Sequence, residues 1–183
     1  MEAIFNSTVL IFISEMGDKT QLLALVLAAR YKKPIPILWG IFLATLLNHA
    51  LASYVGSVIT PYISQSVLRW VLASTFILFG FWMLIPDKDE GLKTSDRFGA
   101  FMTTLIAFFI AEMADKTQLA TVALGAKYPS VLAVTIGSTL GMMLANAPVV
   151  IFGRWFTDRF PMKWVHRVAS LLFITFGLAC LWI

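Results

Sequence analysis

The sequence predicts an all-α membrane protein with six transmembrane helices, arranged as two inverted repeats of three helices each. This prediction depends on an apolar composition, on six apolar segments of membrane-spanning length and on an internal duplication. Of the 183 residues, 59% are hydrophobic and 13% are charged, whereas soluble domains carry about 25% charged residues. The mean hydropathy of +0.83 indicates that lipid surrounds most of the chain.

Six segments reach the roughly 20 predominantly apolar residues that a helix needs to cross a bilayer. They cover residues 4–29, 37–59, 67–85, 98–124, 131–152 and 164–183. Proline and charged residues mark the breaks between them. The first segment has no basic region in front of it and carries charged residues in its middle. We therefore expect a membrane helix there and not a cleavable signal peptide.

The internal duplication is visible in one acidic motif. The octapeptide EMGDKTQL, which begins at Glu15, returns as EMADKTQL at Glu112, with seven of eight positions identical. The same offset of 97 residues relates FILFG, which ends at Gly80, to FITFG, which ends at Gly177. A chance match would not keep its register across three helices, so we interpret the pattern as a duplication.

The duplication divides the chain into a first repeat (1–85), a cytoplasmic linker (86–97) and a second repeat (98–183). Because each repeat holds an odd number of spans, the second repeat must enter the membrane from the opposite side. Inverted repeats of this kind are typical of secondary transporters, whose substrates bind near the bilayer midplane.

Basic loop residues predict the orientation, because cytoplasmic loops carry an excess of Lys and Arg. After spans one, three and five these residues are Arg30, Lys32, Lys33, Lys88, Lys93, Arg97, Arg154, Arg159, Lys163 and Arg167. The opposite side holds Arg69 and Lys127. Both termini are therefore expected outside the cytoplasm. The net charge of +4 needs no nucleic-acid partner to explain it. The single cysteine, Cys180, excludes an internal disulfide and a cysteine metal cluster.

Four carboxylates are predicted to lie inside the membrane, namely those of Glu15, Asp18, Glu112 and Asp115. The i+3 spacing places each Glu–Asp pair on nearly one face of a continuous helix. Gly17 permits either a close helix approach or a local break. A charge at the bilayer centre is costly, so four carboxylates need a compensating cation or protons. If the repeats are inverted, the two motifs converge about a pseudo-twofold axis.

Converging carboxylates suit a hard divalent cation such as Ca²⁺ or Mn²⁺. Nearby amides add oxygen ligands, and the predicted ones are those of Gln21, Gln118, Asn48 and Asn146. Met16 and Met113 could add sulfur but are better interpreted as packing residues. An ion-paired contact with a purely structural role is disfavoured, because burying so many ionisable groups is costly.

Two motif lysines, Lys19 and Lys116, are predicted to balance charge. With them, the four carboxylates sum to −2, which one divalent ion would neutralise. Without metal, some carboxylates should take up protons, because burial disfavours the charged form. Metal/proton antiport is the resulting hypothesis, and lysines that merely extend toward the interface are the alternative. Thr20, Thr117 and His49 are further candidates for coupling.

Two copies of E-x-G-D-[KR]-[ST] in a six-span chain resemble the Gdt family of cation transporters. The resemblance covers essentially the whole chain, although Ala114 stands where the family has glycine. It implies transport of Mn²⁺ or Ca²⁺, with the acidic residues of both motifs as ligands. The short chain resembles a bacterial member in the inner membrane, which favours manganese export over calcium transport and implies no cofactor besides the transported ion.

Three other functions remain open. An exporter of small organic solutes, such as amino acids, would also suit short inverted repeats, and a passive cation channel is not excluded by any feature of the sequence. An intramembrane enzyme is disfavoured, because the chain holds two histidines, one cysteine and no plausibly spaced Ser/His/Asp arrangement. The sequence does not predict the oligomeric state.

Overall fold

The computed structural model describes residues 1–82, 84, 99–113, 115–153 and 162–182. Within these residues the chain forms eight α-helices and no β-strand. The helices are α1 (Glu2–Glu15), α2 (Lys19–Tyr31), α3 (Pro34–Ile59), α4 (Gln65–Trp82), α5 (Gly99–Glu112), α6 (Lys116–Lys127), α7 (Val131–Phe152) and α8 (Met162–Ala179). Single 3₁₀ turns follow α3 and α8. The predicted linker and the basic loop residues at 88–97 and 154–159 lie outside the described residues.

Three helical segments are long and apolar enough to cross a membrane, namely Pro34–Tyr62, Gln65–Trp82 and Val131–Phe152. Two more apolar helical segments are shorter: Gly99–Glu112, which is α5, and Arg167–Trp182, which comprises most of α8 and the 3₁₀ turn after it. An all-helical membrane chain is therefore confirmed. The count of six spans and their inversion stay predictions.

Both motif segments are broken helices. Helix α1 ends at Glu15, after which Met16 is extended and Gly17 adopts a φ of 84°, a left-handed value that favours glycine. Asp18 is again extended (φ −84°, ψ 168°) and precedes α2. Asp115 precedes α6 with nearly the same angles (φ −83°, ψ 167°). The expectation that the glutamate and aspartate of a motif share one helix face is therefore wrong, because the helix ends between them.

Contacts between the repeats are reciprocal. Helix α1 packs on α7, and its equivalent α5 packs on α3. Helix α2 packs on α7, and its equivalent α6 packs on α3. Helix α4 packs on its own equivalent, α8. The Tyr31 hydroxyl donates to Thr103 Oγ1 over 3.1 Å, and Asn6 Nδ2 donates to Tyr128 Oη over 2.7 Å. Thr103 and Tyr128 follow Asn6 and Tyr31 by the offset of the duplication. The two repeats thus exchange equivalent contacts, as two copies related by a twofold axis do.

Glycines at the α4–α8 contact repeat this reciprocity. A methyl group on Gly80 would meet Ile174 Cγ1 at 2.5 Å, and one on Gly177 would meet Ile77 Cγ1 at 3.0 Å. Ile174 is the duplication equivalent of Ile77. The repeated glycine that ends each FI(L/T)FG segment therefore permits the two third helices to approach closely.

The described surface is apolar and much of the interior is polar. Large hydrophobic side chains that are more than half exposed include Trp39, Trp70, Leu78, Leu132 and Leu171. The buried polar set includes the acidic residues of both motifs, as well as side chains of α3 and α7. A surface of this kind suits contact with lipid, and the interior can hold a polar substrate.

Candidate metal-binding site

Three carboxylates from the two motifs meet inside the protein. Glu15, Glu112 and Asp115 each offer one oxygen, and these oxygens lie within 4.8 Å of one another. Both glutamates are completely buried, and Asp115 is 7% exposed. Helices α1 and α5 end at the glutamates, and Asp115 immediately precedes α6. We call these residues the carboxylate triad.

Asp18, the fourth predicted carboxylate, is buried at the beginning of α2 but is not a member of the triad. The two motifs are therefore asymmetric in the structure, since only one aspartate joins both glutamates. Because the helix ends at Glu15, the i+3 spacing between Glu15 and Asp18 does not determine where Asp18 lies. Its position depends on the placement of α2.

A threonine of each motif holds the glutamate of the same motif. Thr20 Oγ1 donates to Glu15 Oε2 over 2.6 Å, and Thr117 Oγ1 donates to Glu112 Oε2 over 3.0 Å. Within the described part of the chain, Oε1 of each glutamate and Oδ2 of Asp115 have no hydrogen-bond partner. A buried acceptor without a partner is costly, so these three oxygens are expected to bind a cation or a proton.

Two asparagines leave further oxygens without partners. Asn48 Nδ2 donates to the carbonyl of Phe109 over 3.1 Å. Asn146 Nδ2 donates to Met142, with 3.1 Å to its carbonyl and 3.0 Å to its Sδ. These bonds orient the amides, and Oδ1 of each remains buried without a partner among the described residues. Met142 was not among the predicted site residues, although its position one turn before Asn146 indicated that the two side chains could meet.

The predicted ligand Gln21 has both ends of its amide engaged with the backbone. Its Oε1 accepts from the Gly17 amide over 2.9 Å, and its Nε2 donates to the Ala145 carbonyl over 2.8 Å. Gln21 thus ties the helix break to α7. Its counterpart Gln118 is half-buried on α6.

The two motif lysines have different surroundings. Lys19 Nζ donates to Asp115 Oδ1 over 2.8 Å, so it pairs with the opposite repeat. Lys116 is buried, and its Nζ lies 5.8 Å from the ring centroid of Trp82. For Lys19, charge balance rather than extension toward the interface describes the observed contact. No feature of the sequence indicated Trp82, which ends a helix that is distant in the chain.

His49 follows Asn48 on α3 and is completely buried. Neither ring nitrogen has a hydrogen-bond partner within the described segments, and His49 is not part of the triad. The structure therefore brings together Glu15, Glu112 and Asp115, with Lys19, Thr20 and Thr117 directly bonded to them.

The electrostatics of the triad favour a divalent cation. When ionised, its three carboxylates and the Lys19 ammonium sum to −2. Helices α1 and α5 end at the two glutamates with partial negative charge, whereas Asp115 lies at the N-terminal end of α6, which carries partial positive charge. Broken helices whose ends meet at a buried site are typical of ion-binding sites in secondary transporters.

Comparison with known proteins agrees with this chemistry. Residues 3–91 and 100–183 match the protein family described as "Divalent cation/proton antiporter GDT1". The chain belongs to the GDT1 family. The "Putative manganese exporter" of Vibrio cholerae serotype O1 is 48% identical over 180 residues, which cover 98% of this chain and 90% of that protein.

More distant GDT1 relatives come from plants and cyanobacteria. "GDT1-like protein 3" of Oryza sativa subsp. indica is 26% identical over 205 residues, which cover 97% of this chain and 73% of that protein. A GDT1-like protein of Synechocystis is 25% identical over 198 residues, which cover 94% and 93% of the two chains. No solved structure matches. The resemblance inferred from the doubled motif is confirmed, and the family is one of antiporters, not of enzymes.

Proposed function

We propose that this GDT1 protein exports a divalent cation, Mn²⁺ in preference to Ca²⁺, in exchange for protons. The observation that carries the proposal is the carboxylate triad, which joins both repeats and holds three buried oxygens that have no hydrogen-bond partner within the described residues. The amide oxygens of Asn48 and Asn146 would complete the ligand set. Asp18 and Gln118 would join it in another conformation of the transport cycle.

The ligand set consists of oxygens, which suits Mn²⁺ and Ca²⁺ alike. One observation supports Mn²⁺: the relative that is 48% identical carries the name of a manganese exporter.

Proton exchange follows from the same charges. A pocket of charge −2 inside a membrane is costly when it is empty. Protons on the triad would remove that cost once the metal has left, and an arriving metal ion would expel them. Metal and protons would thus compete for the same oxygens, which couples their movements if only an occupied pocket changes the side of the membrane to which it opens.

The topology that we propose has six spans, with both termini outside the cytoplasm of a bacterial inner membrane. Helices α1 and α2 would together form one span, and α5 and α6 another. The reciprocal contacts between the repeats support a pseudo-twofold axis. An odd number of spans in each repeat would place that axis in the plane of the membrane.

The test is metal flux in liposomes that contain the purified protein and a pH-sensitive dye. We expect saturable Mn²⁺ flux with proton counterflow, and weaker competition by Ca²⁺ and Mg²⁺. Asp115→Asn and Asp18→Asn should each lose nearly all flux while remaining folded. Glu2→Gln changes an exposed acid outside the site and serves as the control.

Each failure has a distinct meaning. Normal flux in both aspartate variants would falsify the site assignment. Flux that never saturates and moves no protons would instead indicate a channel, and efflux of an organic solute unaffected by divalent ions would indicate an organic-solute exporter.

A further inference from the structure

Lys19 connects the two repeats at the triad. It begins α2 in the first repeat, and its Nζ lies 2.8 Å from Oδ1 of Asp115, which precedes α6 in the second repeat. Asp115 therefore has one oxygen bound to an ammonium, whereas the other, Oδ2, has no hydrogen-bond partner among the residues that the structure describes.

A metal ion on the triad and the Lys19 ammonium would repel each other. Both would bind Asp115 through its two oxygens, which places the ion and Nζ about 5 Å apart. Even at the dielectric constant of water, a charge of two and a charge of one at that separation repel by enough to change an affinity on the order of tenfold. The ammonium and the cargo are therefore competitors for Asp115.

The surroundings of Lys19 allow its ammonium to move away from Asp115. Lys19 is 31% exposed, whereas its partner Asp115 is 7% exposed. The extended residue and the left-handed Gly17 between α1 and α2 separate Lys19 from the rigid part of the first helix. The side chain can thus leave Asp115 without carrying α1 with it.

We infer that Lys19 is a tethered counter-ion, which holds Asp115 while the pocket is free of cargo and is displaced as the metal binds. This inference rests on the proposed function. Lys19 is a positioning residue in this scheme, because it acts on the metal through Asp115. It weakens metal binding and thereby speeds release. The Nζ of its sequence equivalent, Lys116, lies 5.8 Å from the ring centroid of Trp82.

The first test compares Lys19→Gln with the parent protein, using the full chain purified in detergent and reconstituted in liposomes. We expect the Kd for Mn²⁺ and the KM of flux to fall about tenfold, and kcat to fall as well, because release becomes slower. Lys19→Arg keeps the charge and should restore parental values. Lys127→Gln removes the same charge at the far end of α6, where Nζ lies 3.3 Å from Cys180 Sγ, and serves as the control.

The second test needs no variant. Lysines are acetylated with a water-soluble, amine-reactive reagent and the products are measured by mass spectrometry. The labelling rate reports whether the Lys19 ammonium is released from Asp115. Adding Mn²⁺ should raise the labelling rate of Lys19 several-fold and leave that of Lys127 unchanged.

A Kd for Mn²⁺ that is unchanged or higher in Lys19→Gln overturns the inference, as does Lys19 labelling that Mn²⁺ leaves constant or lowers. Either result leaves the proposed function standing as long as the parent protein binds and transports Mn²⁺. Absence of Mn²⁺ binding by the parent would count against the proposed function itself.

Discussion

Replacing Thr117 by valine should weaken metal binding without disturbing the fold. The two side chains have nearly the same shape, and the change removes one hydroxyl that donates to Glu112 Oε2 over 3.0 Å. Thr117 is 1% exposed, so water cannot easily take the place of the lost donor. Glu112 would then have neither oxygen bonded within the described part of the protein.

The size of the effect follows from the charge on the acceptor. A hydrogen bond to a charged group contributes about 1.5–3 kcal/mol. In the metal-free pocket the glutamate can accept a proton, whereas metal binding requires the carboxylate. The loss therefore falls mainly on the metal-bound state. At about 1.4 kcal/mol for each factor of ten, the affinity should drop roughly 10- to 100-fold, as is typical when an outer partner of a metal ligand is removed.

The assay is Mn²⁺ binding to the purified protein by calorimetry. Thr121→Val is the matched control, because Thr121 is equally buried but donates to the backbone carbonyl of Thr117 over 2.7 Å. Thr20→Val should match Thr117→Val, since Thr20 donates to Glu15 in the same way. Equal affinities in Thr117→Val, Thr121→Val and the parent would refute the reasoning that the threonine stabilises the ionised glutamate.

Two further predictions concern other parts of the pocket. Asn146→Leu should lower Mn²⁺ affinity about tenfold, yet leave the unfolding temperature of the metal-free protein unchanged or higher. The reason is that leucine removes a buried oxygen that has no partner among the described residues. A large loss of metal-free stability in thermal unfolding would contradict this. Gly17→Ala should destabilise the protein by about 1–2 kcal/mol, since a φ of 84° is unfavourable for alanine, and urea unfolding in detergent that shows no loss would argue against the observed helix break.

Much of the fold could be predicted from the sequence. The long apolar segments predicted membrane-spanning helices, because lipid cannot satisfy backbone polar groups and a helix satisfies them internally. The duplication predicted that the two motifs converge about a pseudo-twofold axis, and the equivalent bonds of Tyr31 and Tyr128 to the opposite repeats agree with such an axis. The helix break was not predictable, since Gly17 is compatible with close packing as well as with a break.

The sequence by itself also predicted Glu15 and Glu112 as metal ligands, since glutamates inside a membrane are costly and indicate a functional site. It could not determine that Asp115 joins them and Asp18 does not, or that Lys19 pairs across the repeats while Lys116 lies over an aromatic ring. The physical reason is that the two motif copies are nearly identical, so every local rule treats their residues alike. Only the packing of the half-helices, which differs between the repeats, makes them distinct.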